Sequence, residues 1–100
     1  MADALENVGE NSIAELVSIH AELSSDGMTL TVGYVLETDT DIAFIACDIM
    51  GNVLANIRHE SKGIGEWQER ITLNRKPIGN VVMLNVQCQG QKMSMKVFKE

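Results

Sequence analysis

Apolar and polar positions alternate along most of this chain with a period of two, which is the mark of strands that bury one face. After the turn Ser24-Ser25-Asp26-Gly27, Met28, Leu30, Val32, Tyr34 and Leu36 alternate with Thr29, Thr31, Gly33 and Val35. A polar turn at residues 37–40 leads into residues 42–49, apolar at both parities, which predicts a central strand covered on both faces. Met50-Gly51-Asn52 breaks it, and residues 53–58 return as its hairpin partner. The chain turns again at Ser61-Lys62-Gly63-Ile64-Gly65, and Trp67, Glu69, Ile71 and Leu73 then share one parity of the next strand. Residues 74–80 hold the single proline, Pro77, together with Gly79, and read as a loop. Residues 81–88 form a second strongly apolar strand, and Gln89-Gly90 reverses the chain. In the last strand Met93, Met95 and Val97 line one face, with Lys92, Ser94 and Lys96 on the other.

The stretch 13–23 supports two readings. As a strand, Ile13, Val17, Ile19, Ala21 and Leu23 share a face that only Glu15 interrupts. As a helix, Ser12 caps it, Glu15 closes a capping box, and Ile13, Leu16, Val17 and His20 form a stripe. The β-branched content and the β character of everything downstream favour the strand. Residues 1–12 are polar and acidic and read as a flexible leader, leaving 13–100 as one domain. Strands separated by turn signals at roughly 8–12-residue spacing predict an all-β, immunoglobulin-like antiparallel β-sandwich of about seven strands.

Composition narrows what such a domain does. The net charge is −6 and the isoelectric point near 4.8, which argues against nucleic acid as a partner, since phosphate backbones demand clustered Lys and Arg. No apolar run approaches the ~20 residues of a membrane span, so no membrane insertion is expected. The first residues lack the basic head and apolar stretch of a secretion signal, which leaves a cytosolic protein or a piece of a longer precursor. Aromatics are few (Tyr34, Phe44, Trp67 and Phe98), so Val, Ile, Leu and Met must fill the core.

No pattern for catalysis or cofactor binding emerges. Cys47 and Cys88 stand far apart, and neither His20 nor His59 pairs with them at metal-ligand spacing. Both cysteines sit in apolar runs and read as buried thiols, with a disulfide as the alternative. His59, between Arg58 and Glu60 at a hairpin end, reads as a solvated residue rather than a general base. Glu37, Asp39 and Asp41 offer oxygen ligands for calcium, but they lack the glycine-bearing loop of an EF-hand, and a solvated turn is the simpler reading. Asp48 opens a turn in which its carboxylate can accept backbone N–H groups two residues on. Neither a glycine-rich phosphate loop nor a Ser/His/Asp constellation is present, so no cofactor and no enzymatic activity are expected.

Three landmarks carry a family resemblance. Residues 42–54, with Asp48-Ile49-Met50-Gly51 at the turn, pair an alternating strand with its return; Gly63-Ile64-Gly65-Glu66-Trp67 turns into the next strand. Pro77-Ile78-Gly79, the strand 81–86, Gly90 and Lys96-Val97-Phe98-Lys99 make a closing hairpin. In order and spacing these resemble the C-terminal sorting domains of the type IX secretion system of Bacteroidetes. The resemblance implies a non-catalytic address label carried by a secreted cargo, exported through the periplasm to the cell surface. Its partners would be proteins of the outer-membrane secretion machinery. The residues it offers for partner recognition are Lys92, Lys96, Val97, Phe98 and Lys99, a cationic strip on an acidic domain. Lysines that guard an edge strand against aggregation explain the same pattern. The rival reading is an accessory module binding carbohydrate or protein, or a stand-alone periplasmic or surface protein. Against carbohydrate, the two candidate stacking rings, Trp67 and Tyr34, both fall on expected core faces.

Overall fold

The computed structural model describes residues 15–99, so the predicted leader over residues 1–12 lies outside the described residues. These form seven strands: β1 (Leu16–Leu23), β2 (Thr29–Leu36), β3 (Thr40–Cys47), β4 (Val53–Lys62), β5 (Gly65–Thr72), β6 (Val81–Cys88) and β7 (Gln91–Phe98). A 3-10 turn, Ile78–Asn80, precedes β6. One sheet runs β1-β2-β5 and the other β4-β3-β6-β7, every pairing antiparallel. The chain crosses between sheets after β2, β4 and β5, so β5 comes to lie beside β2 and β6 beside β3. This is the expected all-β immunoglobulin-like sandwich, with the fourth strand held on β3.

The two inner faces make one core. Leu30, Val32, Tyr34 and Leu36 of β2 meet Ile42, Phe44 and Ala46 of β3, with Val82, Leu84 and Val86 of β6 beside them. Phe44 is 1% exposed, and its ring stands 5.1 Å from that of Tyr34, tilted by 56°. This tilted arrangement sets the edge of one ring towards the face of the other.

The strand reading of the first segment holds for its described part, with one change of face. Leu16 pairs with Leu36 but Ser18 pairs with Val35, so Val17 is the extra residue of a β-bulge. The bulge breaks the alternation. Leu16 turns in against the core while Val17 is 58% exposed, not part of the Ile19–Leu23 face as its parity predicts.

β3 ends sooner than the apolar run suggests. The strand stops at Cys47, and Ile49, expected inside it, lies in the turn at 56% exposure. Asp48 is what stops it. Its Oδ1 accepts Met50 N–H at 2.9 Å and Asn52 N–H at 3.0 Å, and its Oδ2 accepts Asn52 Nδ2 at 3.0 Å. The Asn52 amide and these backbone donors hold the Asp48 carboxyl below its ordinary value. Asp48→Ala is expected to speed amide exchange at Met50 and Asn52 and to lower the melting temperature by several degrees. Unchanged exchange at both amides would show that Gly51, at φ 86°, makes the turn without the carboxylate.

The double covering predicted for β3 is also only partial. Its inward residues are buried, but outward Ile45 and Cys47 are half-buried, sheltered by flanking strands rather than by a third layer. β4 runs further than predicted, to Lys62, because Asp41 and Asp39 cap its far end. Asp41 Oδ1 accepts Ser61 N–H and Asp39 Oδ1 accepts Ile64 N–H, each at 2.8 Å. The acidic turn thus spends two of its carboxylates on backbone donors.

Candidate functional site

β7 is an edge strand, paired to β6 on one side only. Met93 and Val97 are buried and Met95 is half-buried, so the strand is fastened to the core along one face. Lys92, Ser94, Lys96 and Phe98 project from the other face, and Phe98 is 65% exposed. Of the five residues named for recognition, four are therefore accessible, and Val97, at 4% exposure, anchors rather than contacts.

The lysines do not form one strip. Lys92 pairs with Gln87 and Lys96 with Met83, which puts them about 13 Å apart along the strand, beyond the screening length at physiological salt. Lys92 lines a shallow cleft of about 280 Å³ with Arg58, Asp41 and Glu60. Lys96 and Lys99 stand at the opposite end. Lys99 N–H donates to Asn80 O at 2.9 Å, and Lys99 also bridges to Leu23 in parallel, tying the end of β7 to the end of β1.

The other side of the sandwich, between edge strands β4 and β5, is closed by a polar cluster. Glu69 stands opposite Val32 in the register and so faces inward from the sheet rim. Its Oε2 accepts the Tyr34 hydroxyl at 2.8 Å and lies 2.9 Å from His59 Nε2 and 3.4 Å from Lys62 Nζ. The His59 nitrogen is at ion-pair distance but off the line of a hydrogen bond, and it is buried with no aligned partner. Burial alone would raise the Glu69 carboxyl; the Tyr34 hydroxyl, with His59 and Lys62 behind it, outweighs burial and holds it below its ordinary value. Burial, with the same carboxylate, pushes the Tyr34 hydroxyl up.

Trp67 departs from its predicted core position. It pairs with Tyr34, so its parity is inward, but at the rim of the sheet it stays 38% exposed. Its ring is not free: Lys62 Nζ sits 3.9 Å from the ring centroid, and its Nε1 donates to Gly63 O at 2.7 Å. His59, expected to be solvated, is instead part of the closure, its side chain only 30% exposed. One sign of the cluster was present in the sequence. Glu69 stands at a core parity between Trp67 and Ile71, where a carboxylate must find donors.

The two cysteines are free and point to opposite faces, so the disulfide alternative has no geometry. Cys88 is buried beside Thr40, with Oγ1 and Sγ 3.3 Å apart, and burial raises its thiol. That is the setting of an inert thiol. Among the described residues, three or more His, Cys, Asp or Glu side chains nowhere converge as a metal site, and no helix is long and apolar enough to cross a membrane. No family model and no curated protein matches this chain.

Proposed function

We propose that this chain is a non-catalytic recognition domain, a sorting domain carried on a secreted protein and read by outer-membrane secretion machinery. The observation that carries the reading is the build of β7: an edge strand locked by Met93 and Val97 that presents Lys96 and Phe98 outward. The resemblance of residues 42–54, 63–67 and 77–99 to type IX sorting domains supplies the finer assignment. The polar cluster supports a binding role over a catalytic one. Glu69 accepts the buried Tyr34 hydroxyl and lies at ion-pair distance from His59 and Lys62, so within this cluster the carboxylate is already engaged rather than held free for proton transfer.

The accessory-module reading has Trp67 in its favour, since the ring is partly exposed. Lys62 over one face and the anchored N–H make it a poor stacking platform for a sugar.

The test is export of a reporter. A fusion must keep β1, which forms an edge of the first sheet, so the whole chain is placed behind the reporter in a bacterium with type IX machinery. The reporter is expected at the cell surface. Lys96→Gln with Lys99→Gln should cut surface display severely while leaving the melting curve unchanged. Deleting β7 is a poor substitute because Val97 belongs to the core. Retention of the intact fusion in the periplasm would overturn the sorting assignment.

A further inference from the structure

Four segments meet at one end of the sandwich. The β3–β4 turn brings Ile49 and Met50, the start of β4 brings Val53, the loop before β6 brings Arg75, Lys76 and Ile78, and β7 ends with Lys96, Phe98 and Lys99. Contacts join them into one surface. Asn74 Nδ2 donates to Val53 O at 3.3 Å, and a Cβ on Gly79 would lie 3.2 Å from Ile49 Cδ1. Phe98 pairs with Val81, and Lys99 binds Asn80. Met50 is 69% exposed, Phe98 65%, and Ile78 49%.

The charge here runs against the rest of the molecule. Four of the eight Lys and Arg residues lie at this end of a chain with net charge −6. None of the four is in an ion pair among the described residues, whose salt bridges both involve Glu69. Three anions among the described residues share this end. Asp48 is buried and saturated by its own turn, while Asp26, beside Lys76, and Glu22, next to the Leu23 that bridges Lys99, offset part of the four cations at the surface. Large apolar side chains exposed together mark a binding surface.

We infer that this end docks on an anionic lipid surface, with Met50, Ile78 and Phe98 entering the interface and Arg75, Lys76, Lys96 and Lys99 meeting headgroups. The shape favours lipid over a peptide. The apolar side chains stand on turn tips and a strand end; two grooves lie elsewhere, beside Lys92 and on the outer face of the first sheet, and the one next to this end is lined by polar residues such as Glu22, Ser24 and Asp26. Projecting tips suit a deformable interface, whereas a helical or proline-rich peptide is seated in a groove. Charge supplies the rest: each cation near an anionic bilayer contributes roughly a five-fold gain in binding. The acidic remainder of the chain is repelled by the same surface, which leaves one docking orientation.

Flotation with two kinds of vesicle tests this directly: phosphatidylcholine alone, and phosphatidylcholine with about one third phosphatidylglycerol. The full chain is expected to float with the anionic vesicles, to lose them at high salt, and to ignore the neutral ones. Lys96→Gln with Lys99→Gln should reduce partitioning about 30-fold, while Lys92→Gln, which removes a cation from the opposite end, should change it less than about two-fold. Met50→Ser with Phe98→Ser should reduce it at least several-fold with the melting curve intact, since both side chains are exposed. Failure to bind anionic vesicles would overturn the inference, as would an equal loss from Lys92→Gln, or full binding by the Met50 and Phe98 variant. Loss of reporter export in that variant without vesicle binding would mean that this end reads a protein instead.

Discussion

Phe44→Ala is expected to cost about 3–5 kcal/mol of folding stability, the usual loss when a buried aromatic leaves a cavity. Phe44 sits midway along β3, the strand held between β4 and β6, with Ile57 and Val86 as its register partners. It is also the residue through which the second sheet meets Tyr34 of the first. The void would therefore open between layers, where backbone ladders on both sides resist collapse. A domain of this size has about 5–15 kcal/mol in total, so the variant should be close to unfolding at elevated temperature. Leu84→Ala, fully buried on β6, should lose about 2–5 kcal/mol for the same reason. Urea denaturation of each variant measures the effect. A loss below about 1 kcal/mol at Phe44 would mean that the sheets do not meet there.

Glu69→Ala should cost about 2–3 kcal/mol, through the strand rim rather than the core. The largest part is the Tyr34 hydroxyl, a buried donor left without its charged acceptor. The His59 and Lys62 contributions are smaller, because neither makes an aligned hydrogen bond to the carboxylate and both side chains keep some contact with water, which screens the pairs. Glu69→Gln retains an acceptor for Tyr34 and should lose about half as much. The pH dependence has a definite sign. The Glu69 carboxyl is lower in the folded state than in the unfolded chain, so its stabilisation is complete above the ordinary glutamate range. It disappears as pH falls through the depressed folded value. Denaturation midpoints of the wild type should therefore approach those of Glu69→Gln as the solution is made acidic. A gap that stays constant down to strongly acidic pH would show that the carboxylate charge contributes nothing.

Local alternation proved a good guide wherever a strand kept an unbroken register. β6 lies where its apolar run placed it, β7 turns its methionines in and its lysines out, and Asp48 makes the turn its chemistry suggested. The errors share a cause. Parity predicts a face only while the register is unbroken, and the bulge at Val17 breaks it. Parity also says nothing about whether a strand is central or at a rim, so Trp67 read as a core residue although β5 has a neighbour on one side only. Ile49 counted as strand because hydrophobicity cannot show that a preceding carboxylate has already turned the chain. The outward lysines of β7 were legible residue by residue. Their grouping with Ile49, Met50, Arg75, Lys76 and Ile78 was not, since those positions are brought together only by the crossing of strands between sheets.

The parallel bridge between Leu23 and Lys99 bears on how the domain responds to force. β1 and β7 lie side by side at the edges of different sheets and run in the same direction, so the chain enters at one end of the pair and leaves at the other. Tension applied between residues 15 and 99 is directed along both strands, and it loads their ladders to β2 and β6 lengthwise, many hydrogen bonds together. Tension applied at Lys99 alone, across the strand axis, would instead open the bridge and then the β6–β7 ladder one pair at a time. The same fold is thus mechanically stiff to a pull between those two points and yielding to a peel from the β7 end. A pull on β7 across its axis would meet the weaker direction.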